Sequence, residues 1–287
     1  MFAQAKQAGW GAIEGGGSLI KERCAGMGAM EMKGKVAWIT GGGTGIGAGI
    51  AEAFAEAGTT VAIASRNPEH LKKAERRFLE RGFSLAAFVA NVTRPDEVDT
   101  VCGEIVKRFG KIDILVNNAG VSGPAPLAEM EDEHWRKIIE TNLTGPFYCS
   151  RAALRRMQDH AQGRIINISS VLGKFGVAGY TAYCATKHGI IGFTRALALE
   201  VADRGITVNA ICPGWVDTAM AQEGIEAAAR AMKITPEAFR KMAVDAVPSK
   251  RFTEPREVGA LAVYLASEAA SNMTGQAINL CGGATTA

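Results

Sequence analysis

Tyr183 and Lys187 stand four residues apart within YTAYCATKHG, residues 180–189. On a helix that spacing puts both side chains on one face, a turn apart. A phenol ionises near pH 10, too high to exchange protons readily at neutrality, and a neighbouring ammonium stabilises the phenolate. Bringing the phenol down to neutrality takes roughly 4 kcal/mol of differential stabilisation. The pair therefore predicts a tyrosine acid activated by a lysine. Tyr180, seven residues before Lys187, lies a further turn away and is expected to form a pocket wall, and His188 reads as an exposed helix histidine.

A second chemical signal precedes this one. TGGGTGIG, residues 40–47, supplies Gly41, Gly43, Thr44, Gly45, Ile46 and Gly47 between the apolar run KVAWIT and a helical pattern that brings Ile46, Ile50, Ala53 and Ala57 to one face. Without side chains the backbone turns tightly and approaches a pyrophosphate at the helix N-terminus. NAD sites usually carry an acidic residue about 20 positions beyond the glycines. Here those positions hold Ser65 and Arg66. A guanidinium fork suits a 2′-phosphate, with the serine hydroxyl as a second donor. NADP(H) is the expected cofactor and NAD(H) the alternative.

The elements that position these residues follow from periodicity. TVAIAS, SLAAFVA, IDILVNN, RIINIS, ITVNAIC and QAINL repeat the apolar character of KVAWIT, with helices predicted near 67–82, 95–108, 131–159, 180–203 and from about 255. Strands apolar throughout and separated by helices predict an α/β fold, a doubly wound parallel sheet of Rossmann-like type with helices on both faces. One catalytic domain is expected over 33–287. The glycine-rich stretch 1–32 reads as a flexible extension. An insert at about 219–247 reads as a short helical lid offering Ile225, Met232, Phe239 and Met242 to a pocket. Asn142, in the middle of the 131–159 helix, is a poor helix former and reads as a satisfied core amide.

Composition narrows the function classes. The 287 residues carry 32 basic and 29 acidic side chains, scattered rather than clustered, which predicts no nucleic-acid partner. Six cysteines form no C-x-x-C pair and no metal-like spacing with the four histidines, as in a reduced cytoplasmic protein. No apolar run reaches the roughly 18 residues of a membrane span, so no membrane association is expected.

From about residue 33 to 284 the chain resembles the short-chain dehydrogenase/reductase family. TGGGTGIG, NNAG at 117–120, Asn142 in TNLTG, INISS at 166–170, YCATK at 183–187 and PGWVDT at 213–218 occur in the family's order. The resemblance implies hydride transfer between a nicotinamide and a carbonyl or alcohol. It gives Tyr183 the proton, has Ser170 rather than Ser169 hydrogen-bond the substrate oxygen, gives Lys187 the nicotinamide ribose, and has Asn142 hold a water linking Lys187 to solvent. It also implies that Pro213 and Gly214 flank the nicotinamide while the Val216 backbone and Thr218 hydroxyl meet its carboxamide. Asn91 and Val92 would lie by the adenine, and Asn118, Ala119 and Gly120 along the adenosine, with Asn117 divided between sheet and ligand.

Stretches such as ETNLTGPF, GITVNAICPGWVDTAM and INLCGG look most like ketoreductases of β-keto acyl thioesters, including those of aromatic polyketide pathways. A 3-oxoacyl substrate is the expectation, with oxidation of a 3-hydroxy acid or secondary alcohol by NAD as the alternative and a non-catalytic nucleotide sensor as a third reading. A homodimer or homotetramer is implied, joined through the long helix predicted near 131–159 and the helix from 183 to 203, on which Ile190, Phe193, Leu197 and Val201 are expected to be exposed.

Overall fold

The computed structural model describes residues 32–157 and 162–286. The expectation for 1–32 lies outside them, apart from Met32, which is buried and donates its N–H to Ala57 O at 2.9 Å. Seven strands, β1 (Val36–Thr40), β2 (Thr60–Ser65), β3 (Leu85–Val89), β4 (Ile114–Asn117), β5 (Gly163–Ile168), β6 (Ile206–Pro213) and β7 (Ala277–Leu280), form one sheet in the order β3-β2-β1-β4-β5-β6-β7. Every pairing is parallel.

The strands are apolar throughout because both faces are covered. Along β1, Ala37 and Ile39 enter a core shared with α1 (Gly45–Glu56), α2 (Pro68–Glu80) and α9 (Pro255–Ala266). Val36 and Trp38 point the other way, into a core shared with α3 (Pro95–Phe109), α5 (Gly145–Met157) and α6 (Thr181–Val201). This period-two division makes the molecule a three-layer sandwich. Asn67 caps α2 by accepting from Glu69 N at 2.9 Å, with Pro68 preset at the first helical position.

The helix expected over 131–159 is divided. Asp132–Ile139 forms α4, a single π-helical turn spans Glu140–Thr144, and α5 resumes at Gly145. Asn142 lies in that turn, where the wider winding relieves a residue poorly suited to an α-helix. The insert builds α7 (Ala219–Met232) and α8 (Pro236–Ala246). Of its expected pocket residues, Ile225 is buried in packing, Phe239 stands edge-on to Trp215, and Met232 and Met242 face solvent.

The α6 expectation also needs correcting. Ile190, Leu197 and Val201 face the sheet and are buried, because one side of this long helix lies along the strands. Its outer side carries Ala185, His188, Gly192, Ala196 and Leu199. No helix among the described residues is long and apolar enough to cross a membrane.

Candidate active site

A parallel sheet whose strand order reverses opens a crevice at the carboxyl ends of the diverging strands. Here the reversal falls between β1 and β4, and a cavity of about 310 Å³ opens there. Gly41, Thr44, Gly45, Ile46 and Gly47 line one side of it. A Cβ added to Gly47 would fall 2.2 Å from Gly41 O, and Gly45 adopts φ +53° with the space beyond it open as far as the Thr218 methyl, 3.4 Å from a built Cβ. The turn is thus a cradle that side chains would fill. Thr44 supplies no capping hydrogen bond to α1, so the first N–H groups of that helix have no side-chain cap. Bare helix N–H groups beside a glycine cradle fit a dinucleotide pyrophosphate.

Asn118 holds this turn in shape. Its Nδ2 donates to Thr40 O at 2.9 Å and Gly41 O at 3.2 Å, while the Asn118 and Ala119 N–H groups donate to Thr40 Oγ1. Asn117 serves the sheet instead. Its Nδ2 donates to Ser150 Oγ at 3.0 Å and Asn167 Oδ1 at 2.8 Å, and Asn167 Nδ2 continues to Thr194 Oγ1 at 2.8 Å. At the far end of the cavity Ser65, half-buried at the end of β2, and Arg66, exposed, reach its wall. The Arg66 guanidinium has no partner among the described residues.

The opposite end holds the proton-handling groups. Tyr183 and Lys187 occupy one face of α6, with Lys187 Nζ 5.4 Å from the centroid of the Tyr183 ring. Lys187 Nζ donates to Ile168 O at 2.8 Å. Burial pushes the Tyr183 phenol up to about 12, against a smaller downward pull from its hydrogen bond with Ser170. Burial also draws the Lys187 ammonium down to about 8. The expected acidification of Tyr183 by Lys187 is therefore not what the fold produces. The ammonium lies over the ring and spends its bond on a carbonyl, so desolvation prevails.

Ser169 and Ser170 take different tasks. Ser169 Oγ donates to Lys187 O at 2.9 Å, tying β5 to α6, whereas Ser170 meets Tyr183 and also accepts from Leu172 N at 3.1 Å. Both ends of the Asn142 amide make structural hydrogen bonds. Its Oδ1 accepts from Val121 N at 2.8 Å and its Nδ2 donates to Val121 O at 2.8 Å, with Thr186 Oγ1 at 3.4 Å. It remains close to the lysine: a Cβ built on Gly120 would lie 3.4 Å from Asn142 Oδ1 and 3.9 Å from Lys187 Nζ.

The short chain dehydrogenase profile matches residues 35–229. The chain belongs to the short-chain dehydrogenase family. A 3-oxoacyl-(acyl-carrier-protein) reductase of Vibrio cholerae is 41% identical over 254 residues, 88% of this chain and 98% of the relative. A D-beta-hydroxybutyrate dehydrogenase of Cupriavidus necator is 41% identical over 253 residues, again 88% and 98%. Among solved structures, a variant of the actinorhodin polyketide ketoreductase with NADPH superposes with a TM-score of 0.86 at 38% identity, covering 88% of this chain and 98% of its own.

Within this short-chain dehydrogenase the remaining expected residues divide. Val92, Ala119, Gly120 and Thr218 line the cavity together with Tyr183 and Lys187. Gly43, Asn91, Asn142, Ser170, Pro213, Gly214 and Val216 are not on its wall. Three of them are engaged elsewhere: Asn91 Oδ1 accepts from Thr93 N at 3.1 Å, Gly214 N donates to Leu280 O at 3.0 Å, and Val216 is buried and bridges Thr253 in parallel. Thr218 does more than face the cavity. Its hydroxyl accepts from Ala221 N as the cap of α7 and donates to Val216 O.

Sequence reasoning missed His70, Ala90, Thr141 and Met220, all on the cavity wall. Met220 also borders a second cavity of about 280 Å³, lined by Tyr180, Ser122, Lys137 and Glu223 and sharing Gly120 and Val121 with the first. The segment expected as a lid contributes Ala219 and Met220 to the wall, whereas the Met232 and Met242 named for it face solvent. The first turn of α7 meets the site, and only its place directly after Thr218 could have signalled that.

Proposed function

We propose that the chain is a cytoplasmic NADP(H)-dependent carbonyl reductase that converts a 3-oxoacyl-type ketone to the secondary alcohol. The observation that carries this reading is the sharing of one cavity by the Arg66 guanidinium, unpaired among the described residues, at one end and the Tyr183–Lys187 pair at the other. A guanidinium that the described residues leave without a partner suits the 2′-phosphate that distinguishes NADPH. The NADPH in the related ketoreductase and the name of the Vibrio reductase support the same choice.

A bound nicotinamide supplies or accepts the hydride. The chain's own contribution is to manage the proton. A phenol pushed up to about 12 keeps its proton throughout the neutral range, which is the form that carbonyl reduction needs. The substrate oxygen sits where the Tyr183 and Ser170 hydroxyls meet; Tyr183 Oη gives its proton and Ser170 Oγ holds the oxygen. Lys187 Nζ, drawn down to about 8, is poised to return a proton near neutrality. The Asn142 side chain holds Val121 in place, and its Oδ1 keeps a second lone pair for a water of the relay beside Lys187. The second cavity, with Tyr180 on its wall, receives the acyl part of the substrate, and the first turn of α7 acts as its lid.

A second reading is oxidation of a 3-hydroxy acid with NAD(H), favoured by the Cupriavidus relative. Consumption of NADPH and NADH against ketones, β-keto esters and 3-oxoacyl thioesters separates the two. Rapid NADPH oxidation with 3-oxo substrates is expected. Turnover confined to NAD and 3-hydroxy acids would establish the second reading instead. Self-association through the outer faces of α5 and α6, where Phe147 is 41% and Leu199 84% exposed, accompanies the proposal. A single monomeric boundary in sedimentation at micromolar concentration would overturn it.

A further inference from the structure

We propose that His70 is a further specificity residue, donating to the cofactor's 2′-phosphate beside Ser65 and Arg66. The inference rests on the NADPH reading and adds a group that no sequence motif singles out. His70 lies in the first turn of α2, four residues after Arg66, and shares the cavity wall with Ser65 and Arg66. The imidazole is half-buried and has no hydrogen bond, ion pair or ring contact among the described residues. Its neighbours on α2 are committed or turned to solvent: Glu69 pairs with Lys72 at 2.9 Å, and Lys73 is exposed.

The fold holds this histidine against the phosphate-binding turn. A Cβ added to Gly43 would fall 3.1 Å from His70 Cβ and 3.1 Å from His70 O. Gly43, which is absent from the cavity wall itself, is therefore the residue that lets α2 approach the turn. The approach leaves a serine hydroxyl, a guanidinium and an imidazole around one end of the cavity. Ser65 Oγ already accepts from Asn67 N at 3.3 Å, so its own hydrogen remains to donate outward. All three groups can donate, and among the described residues no carboxylate lines the cavity. Such a cluster suits a dianionic phosphate monoester, whereas the ribose hydroxyl of an NAD site is usually met by a carboxylate.

The test is calorimetric binding of adenosine 2′,5′-bisphosphate and of adenosine 5′-phosphate to the full chain and to His70→Ala, His70→Gln and Arg66→Ala. His70→Ala is expected to weaken the bisphosphate roughly five- to tenfold while moving the monophosphate by less than about twofold, with His70→Gln in between. Equal weakening of both ligands would mean that His70 only supports the turn, and would overturn the proposal. An unchanged ratio in both His70 variants, with the ratio collapsed in Arg66→Ala, would overturn it while leaving the NADPH reading intact. No preference for the bisphosphate in the unaltered chain, or none lost in Arg66→Ala, would remove the NADPH reading and this inference with it.

Discussion

Lys187 lies over the face of the Tyr183 ring, its Nζ 5.4 Å from the centroid, and hydrogen-bonds the Ile168 carbonyl rather than the phenol. The two groups are pushed in opposite directions by the same burial, the phenol up to about 12 and the ammonium down to about 8. A proton shared between them therefore stays on the tyrosine, the donor that reduction requires.

Replacing Tyr183 with Phe removes that donor and leaves the glycine turn untouched. Turnover is expected to fall by about 10³-fold or more, with nucleotide affinity within a few-fold of the unaltered chain. Steady-state rates combined with fluorescence titration of NADPH check this. A variant keeping most of its rate would exclude Tyr183 as the acid.

Ser170→Ala removes the hydrogen bond that lowers the Tyr183 phenol. The phenol then holds its proton more tightly. The expected result is a loss of about 10²-fold in kcat, with the alkaline limb of the pH profile moved upward. Ser169→Ala, by contrast, cuts the tie to Lys187 O and should be read first in stability.

Lys187 has a consequence for stability as well as for activity. Its ammonium is protonated up to about 8 in the folded chain but up to its ordinary 10.5 when exposed. Below about 8 both states carry the proton, and the buried charge costs the fold up to about 3 kcal/mol. Between about 8 and 10.5 the unfolded state binds more protons, so stability recovers as pH rises. Lys187→Met is expected to stabilise the ligand-free chain at pH 7 and to lose that advantage by pH 10, as read by urea denaturation. It should be inactive at both.

Arg66→Glu exchanges a donor fork for the carboxylate usual in NAD sites. NADPH affinity is expected to drop about 10- to 100-fold while NADH improves. Competition binding of the two nucleotides reads this directly.

Asn142→Ala leaves the Val121 N–H and C=O without their partners. A loss of about 2 kcal/mol is expected in urea denaturation, larger than for an exposed helix position. Restoration of most of that loss by Asn142→Gln would contradict the close fit of the amide to Val121.

The fold was legible because the central strands β1, β4, β5 and β6 are buried on both faces, so their apolar runs carried the signal whatever their register. The chemical residues were legible through spacing: Tyr183 and Lys187 fall four apart on α6, as written in the sequence. The π-helical turn was not, because it depends on Asn142 meeting Val121, 21 residues earlier in the chain. The outward face of α6 was misread for a similar reason. Apolar residues at helical spacing mark one face, and only packing decides whether that face meets the sheet or a partner. His70 and Met220 carry no motif and reach the cavity through the approach of α2 to Gly43 and the entry of α7 after Thr218.

The buried chain of amides from Asn117 through Asn167 to Thr194 acts as a ruler. Thr194 follows Tyr183 by eleven residues, three turns of α6, so it lies on the same side of the helix and about 16 Å further along it. Asn167 precedes Ser170 by three residues at the end of β5. Together with the Ser169 tie to Lys187 O, this hydrogen bond in the middle of the molecule limits how far α6 can slide along the sheet, and with it the separation of two hydroxyl groups at the rim. Wear at this concealed gauge would register as lost alignment between Tyr183 and Ser170, with neither residue altered.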